Sequence, residues 1–370
     1  MELADIFRRA GQAYSDAFQG RIPPSHLRAM WDITRCRTPA LGGSLYACDD
    51  CDNLDYSYHS CRNRHCPKCQ DDRAQAWLQR LRARLLPCDH YLLTFTLPAQ
   101  LRPLARSHQR LVYSILLREA AAAVQLLARD PQWIGGRPAI LAVLHTWSRT
   151  LAYHPHVHLL VSAGGLSKDG SAWIKPTHPR FLFPGYAVSP IFRAKVREAL
   201  RHAGLLQGTE PSVWTRPWTV HVQQIGNGHH AALYLSRYVY RVALSNHRIE
   251  RFQNDRVTFR YTHAKTRQTR RMTLPVLDFM ARFLQHVLPT GFAKIRSYGL
   301  LSPSCRQGLQ RARHLLESAA AKVPQRHART TESDDPSPAD TTEPTPRLCP
   351  VCNRGQLYFK GTILRARPPP

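Results

Sequence analysis

Acidic side chains are scarce in this 370-residue chain: 25 Asp and Glu stand against 52 Lys and Arg, a formal net charge of +27. Such an excess points to a polyanionic partner, nucleic acid first and an anionic membrane second. The shortage of carboxylates also argues against any catalytic centre that needs a spaced carboxylate triad. No uninterrupted run of about 18 apolar residues exists, so no segment is expected to span a bilayer. The opening Met1-Glu2-Leu3-Ala4-Asp5 lacks a basic stretch followed by an apolar one, so no signal peptide is expected. No internal repeat is visible apart from a recurring Cys-x-x-Cys. Without a secretory signal, the ten cysteines argue for metal ligation over disulfides, and a cytoplasmic protein is expected.

What is present is enough for a folded chain. Hydrophobic residues make up 43%, and the length permits two domains or more. The central stretch is Tyr153-His154-Pro155-His156-Val157-His158-Leu159-Leu160-Val161, followed closely by Gly164-Gly165. Its apolar end reads as a strand running into a turn. Strand side chains alternate, so His154, His156 and His158 project from one face while Val157 and Leu159 point into a core. Three imidazoles side by side repel one another when protonated. They make sense beneath a metal ion or an anionic substrate.

Residues 231–242 read as a helix. Tyr234 and Tyr238 are four apart and share a face, beside an apolar stripe of Leu235, Val239 and Val242. Near the N-terminus, Cys48-x-x-Cys51 is followed after 14 intervening residues by Cys66-x-x-Cys69. Two such knuckles can close a tetrahedral thiolate site on Zn²⁺. Cys36, His59, Cys61 and His65 lie near enough in sequence to be alternative or additional ligands. Arg62, Arg64 and Lys68 among them suit DNA phosphates.

The remaining chain divides readily. Helices are expected over residues 3–18, 74–85, 103–128, 189–206, 275–287 and 305–322. Strands are expected over 90–97, 139–147, 173–175, 218–225 and 256–262, with a return strand to Leu274. The turn between the last two carries Lys265, Arg267, Arg270 and Arg271, a second candidate contact for a phosphate backbone. The Thr/Ser/Pro/acid-rich stretch 323–346 reads as a disordered linker. Beyond it Cys349-x-x-Cys352 stands alone, either half of a site completed elsewhere, with Cys305 as one option, or a remnant. Five units are therefore expected: a zinc-binding domain (1–87), a catalytic domain (88–302), a basic helix (303–322), the linker (323–346) and a tail (347–370). The tail is expected to be dispensable for catalysis.

A His-hydrophobic-His strand followed by a Tyr-x-x-x-Tyr helix resembles the HUH single-strand nucleases. The surrounding sequence is similar, more specifically, to the two-tyrosine transposases of the insertion sequence 91 family. The matching stretches are Leu3-Ala4-Asp5-Ile6-Phe7, Cys36 to Gly43, Ser60 to Gln70, Thr94-Phe95-Thr96-Leu97-Pro98, the histidine strand, Tyr234 to Tyr238, Leu288 to Phe292, Lys294-Ile295-Arg296 and Tyr298-Gly299-Leu300. The resemblance implies an α+β fold: an HUH core, with an antiparallel sheet and helices in a split βαβ ferredoxin-like arrangement, behind a small zinc-binding domain. It implies Mg²⁺ or Mn²⁺ held by His156 and His158. The third ligand is expected to be an oxygen donor, Gln223 or Gln224, with His154 as the next choice. It also implies attack by Tyr234 or Tyr238 on single-stranded DNA, 5′-phosphotyrosine intermediates and rolling-circle transposition, in a bacterial protein associated with the nucleoid. A replication initiator or relaxase shares that active site. A zinc-dependent DNA-binding regulator would need neither the histidines nor the paired tyrosines. A retroviral-type transposase would need the missing carboxylates.

Overall fold

The computed structural model describes residues 1–69, 71–178, 182–227, 230, 242–264, 266–321 and 347–366, with 71–74 described by backbone alone. In chain order come α1 (Leu3–Ala17), α2 (Pro24–Arg35), β1 (Gly43–Cys48), β2 (Leu54–Tyr58) and α3 (Asp71–Arg82). Then follow β3 (Asp89–Thr96), α4 (Arg102–Ser107), α5 (Gln109–Arg129), β4 (Ala139–Trp147), β5 (Tyr153–Ser162), β6 (Gly165–Leu166), β7 (Trp173–Ile174), α6 (Gly185–His202) and β8 (Val220–Asn227). The last third holds β9 (Ile249–Gln253), β10 (Arg256–Thr262), β11 (Thr269–Pro275), α7 (Val276–Leu284), β12 (Ile295–Gly299), α8 (Arg306–Ala321) and β13 (Leu357–Ile363). The expected linker 323–346 and residues 231–241 of the expected tyrosine helix lie outside the described residues.

The histidine strand β5 is the middle of a five-stranded sheet of order β12-β4-β5-β3-β8, antiparallel at each pairing. From β3 through α5, β4, β5 and α6 to β8, the chain runs β-α-β-β-α-β, and β5 lies between the two strands joined by the first crossover. Period-two alternation decides what each face does. Tyr91, Leu93 and Phe95 of β3, Val157, Leu159 and Val161 of β5, and Ile140, Ala142 and Leu144 of β4 form one buried layer. Helices α5 and α6 cover it, with Phe192 edge-on to Phe95 at 4.9 Å. By length and composition α5 would pass for a membrane span, but its buried residues, among them Ile115, Leu116 and Val124, pack on this sheet. Each buried Leu or Ile contributes about 1.5–3 kcal/mol there.

The opposite face changes character along its length. Leu92, Leu141, Val143 and Leu160 are covered by Leu81 and Leu85 around α3 and by Ala312 of α8. Further along, the same rows continue as Thr94, His145, His156 and His158, and the three histidines line a cleft. Helices therefore lie on both faces. Residues 303–322 do not stand apart, because α8 packs on the sheet.

The expected boundary at residue 87 is also crossed. α1 carries Leu3, Ile6, Phe7, Ala10 and Tyr14 on one stripe, which packs on α7, with Phe7 edge-on to Phe283 at 5.7 Å. Together with β10 and β11 these residues share one core, so residues 1–87 do not enclose a core of their own. Pro24 starts α2, a first-turn position where a missing N–H costs nothing. The C-terminal segment is not a separate tail either: β13 pairs antiparallel with β1 and completes a sheet of order β13-β1-β2.

Buried histidines make stability depend on pH, His90 and His286 among them. His90 Nδ1 faces the Cys88 carbonyl at 2.9 Å, and His286 is held by Thr146 and the Leu151 carbonyl. Burial pushes His90 down to about 4; burial, joined by the charge of Arg106, pushes His286 to about 3. The unfolded chain takes up these protons below roughly 6.5, whereas the native state resists them. Stability is thus fully present above that value and is lost as pH falls toward 4, by about 1.4 kcal/mol per unit for each ring. Urea midpoints at neutral and mildly acidic pH should show the loss. His286→Gln, which cannot titrate, should have a shallower slope, and equal slopes would refute the assignment.

Candidate active site and metal centres

The hairpin register of β4 and β5 sets His145 opposite His156, and β3 sets Thr94 opposite His158. One nitrogen from each of His145, His156 and His158 lies within 4.8 Å of the others. Ring centroids are 4.9 Å apart for His145–His158 and His156–His158, and 5.5 Å for His145–His156. His156 Nδ1 donates to the His154 carbonyl at 2.7 Å, which leaves Nε2 with its lone pair. His158 Nδ1 pairs with the Thr94 hydroxyl at 3.0 Å, and His145 stacks on Trp147. Burial pushes His156 down to about 4; burial and then the neighbouring His156 push His158 to about 3. Both rings are thus neutral at physiological pH, the form that binds metal. Two neutral imidazoles on β5 and a third ring beside them on β4 fit a divalent transition cation.

The third imidazole comes from β4, not from the expected positions. His154 accepts from Arg102 Nη2 at 2.9 Å, so its Nδ1 is engaged. Gln224 is exposed and donates to Asp89 at 3.3 Å. Gln223 is exposed opposite Leu92, beside the part of the sheet covered by helices. Neither lines the histidine cleft. Sequence reasoning passed over His145, although pairing 139–147 with 153–162 as a hairpin puts it across from His156. Tyr234 and Tyr238 lie outside the described residues.

The histidines floor a cleft of about 480 Å³, with Arg149, Arg248, Tyr261 and His263 around it. Next to it a second hollow of about 430 Å³ is lined by Arg149, Arg248, Arg260 and Arg267. The expected basic turn between β10 and β11 therefore abuts the histidine cleft. Lys265 lies outside the described residues. Arg270 is exposed, and Arg271 pairs with Glu250 at 2.7 Å.

The cysteines do not form the site expected from Cys48, Cys51, Cys66 and Cys69. Cys66 and Cys69 meet Cys36 and Cys61, while Cys48 and Cys51 meet Cys349 and Cys352; each foursome has its sulfurs within 4.8 Å. The physical reason is that β1 and β2 lead the two knuckles apart, and each finds its partner pair elsewhere in the chain. In the first cluster Arg62 takes a left-handed turn (φ 54°), which lets the Asn63 N–H reach Cys61 Sγ at 3.5 Å. Cys36 Sγ lies 3.1 Å from Cys69 Sγ. His65 is no ligand here, since its Nε2 accepts from the Leu288 N–H at 3.3 Å. His59 is exposed. Arg64 donates to the Phe292 carbonyl at 2.5 Å and Lys68 pairs with Glu2, so both serve the fold; Arg62 is exposed. Cys305 sits by Arg137, 3.4 Å from its guanidinium, and joins neither cluster.

Two family models match parts of the chain. Residues 6–97 match a family model described as "Transposase zinc-binding domain", and residues 139–308 one described as "Putative transposase". The chain is 36% identical to a protein of Sinorhizobium fredii named "Putative transposase y4qJ", covering 96% of this chain and 94% of that one. It is 30% identical to the "Transposase for insertion sequence element IS801" of Pseudomonas savastanoi pv. phaseolicola, covering 81% of this chain and 76% of that one. No solved structure matches. The zinc-binding domain and its cysteine clusters support bound Zn²⁺.

Proposed function

The chain belongs to the insertion sequence 91 family of transposases, and on that premise we propose that it cuts and rejoins single-stranded DNA through Tyr234 and Tyr238. The observation that carries this reading is the group of three converging imidazoles on the floor of an arginine-rimmed cleft. The β-α-β-β-α-β order around β5 supports an HUH-type core for the same reason: it sets the histidines on the central strands.

His145, His156 and His158 would hold a divalent cation, whose chemistry is Lewis-acid polarisation of the scissile phosphate. Imidazole donors suit a transition cation better than Mg²⁺, so Mn²⁺ is the better fit. The residues of this chain do the rest. The His154 carbonyl and the Thr94 hydroxyl fix the orientation of the two β5 rings, as partners behind metal ligands do. Arg149, Arg248 and Arg267 draw the phosphate backbone across the cleft. A tyrosine oxygen bonds to phosphorus as the bond from phosphorus to the 3′ oxygen breaks. The phenol loses its proton and the departing 3′ oxygen gains one. The 5′-phosphotyrosine conserves the phosphodiester energy, so a 3′-hydroxyl can reseal the strand without a nucleoside triphosphate. Two tyrosines allow two strands to be held in succession, as rolling-circle transposition requires. The site of action is the bacterial nucleoid, in the cytoplasm.

An end-labelled single-stranded oligonucleotide carrying the element's end tests the proposal. With Mn²⁺, a covalent protein–DNA adduct should survive denaturing electrophoresis. DNA that shifts in a native gel but is never cut would instead make the chain a binding module.

A further inference from the structure

Cys48, Cys51, Cys349 and Cys352 come from opposite ends of the chain, yet their four sulfurs lie within 4.8 Å of one another. Cys48 is 3.7 Å from Cys352, and Cys51 is 3.7 Å from Cys349. These separations are far beyond the roughly 2.05 Å of a disulfide. The two knuckles are built alike. In each, a backbone N–H two residues on points at the first sulfur: Asp50 to Cys48 and Val351 to Cys349, both at 3.4 Å. In each, the residue after the second cysteine turns left-handed, Asp52 with φ 54° and Asn353 with φ 55°. In each, the first cysteine's N–H closes the loop, Cys48 on the Asn53 carbonyl and Cys349 on the Gly355 carbonyl. Gly355 is pressed against the cluster, where a Cβ would come within 2.5 Å of Cys48 Sγ. N–H groups directed at converging sulfurs are what thiolates need, and four thiolates in this arrangement suit Zn²⁺.

The sheet around them has little else to hold it. β13 pairs with β1 from Cys48↔Leu357 to Gly43↔Ile363. Its Tyr358 and Phe359 are 51% and 57% exposed, and Tyr56 of β2 is 50% exposed. The ion pairs Arg347–Asp55 and Arg354–Asp50 are at the surface and contribute little. A ribbon with so few buried side chains is held by its metal, as in small domains that fold on zinc.

We propose that these four cysteines bind a second zinc ion, and that this ion clasps residues 347–366 into the N-terminal domain as its third strand. Each thiol gives its proton to solvent on binding. The zinc-binding domain is then incomplete until residues 347–366 have been made, and losing them leaves Cys48 and Cys51 as half a site.

Elemental analysis of the full chain, purified without added metal, should give two zinc ions per chain. Cys349→Ser with Cys352→Ser should give one, and so should Cys48→Ser with Cys51→Ser. A protease site inserted within 323–346 offers a test that keeps all four cysteines. After cleavage, the fragment bearing Cys349 and Cys352 should co-elute with the body on size exclusion and leave only when a chelator strips the metal. One zinc in the wild type, two in the Cys349→Ser, Cys352→Ser protein, disulfides in place of metal, or departure of the cut fragment with zinc still bound would each overturn the clasp.

Discussion

His156→Ala and His158→Ala should each lower the rate of single-strand nicking by roughly a thousandfold, the several kcal/mol that a Lewis-acid cation supplies at a phosphate. His145→Ala should fall in the same class, because its nitrogen lies within 4.8 Å of the other two. His154→Ala should cost far less. Its ring accepts from Arg102 and stands outside the group. DNA binding should hardly change in any of the four, since Lys and Arg contacts to phosphate dominate affinity. Titrating Mn²⁺ into metal-stripped protein should restore nicking to the wild type and not to the His156 and His158 variants. Full activity in EDTA would remove the metal from the mechanism. Equal losses for His154→Ala and His145→Ala would mean that the third ligand has been assigned to the wrong strand.

Removal of the nucleophiles should be more severe. Tyr234→Phe and Tyr238→Phe should each impair transposition, at least one should lose the covalent adduct in a single turnover, and the double variant should form none. Phe keeps the ring and removes only the hydroxyl, so the loss reports chemistry. Both tyrosines fall on one face of the helix expected over 231–242, whereas Tyr240 lies about 200° around from Tyr238. Tyr240→Phe should therefore remain active. Peptide mapping of the adduct decides between them: a DNA-linked peptide carrying its bond on Tyr240 or on a serine would overturn the assignment.

Local periodicity was legible in the sequence wherever one face of an element is buried. Period two put Val157 and Leu159 in the core and aligned the histidines of β5, and β10 runs over the same residues, 256–262, as its alternation predicts. The stripe Ile6, Phe7, Ala10 and Tyr14 marked α1. Elements with weak patterns were missed. β1, β2 and β13 form a thin ribbon with few buried side chains, so burial imposes no alternation on them, and α2 hid behind its own starting proline. The helix expected over 103–128 is in fact two, α4 and α5, breaking at His108.

By itself the sequence determined the chemical inventory of this protein: a strongly basic chain, cysteines in knuckles, imidazoles alternating on a strand, and two tyrosines four residues apart. Those features depend on neighbours a few residues away, whose geometry is set by the backbone repeat. Which ligands belong together was decided only by the tertiary structure. Strand pairing brought His145 to His156, and the wrapping of the chain carried Cys36 to Cys69 and Cys349 to Cys51 across 33 and 298 residues. A metal site selects ligands by distance in space, and spacing along the chain reports that distance only within a single turn or knuckle.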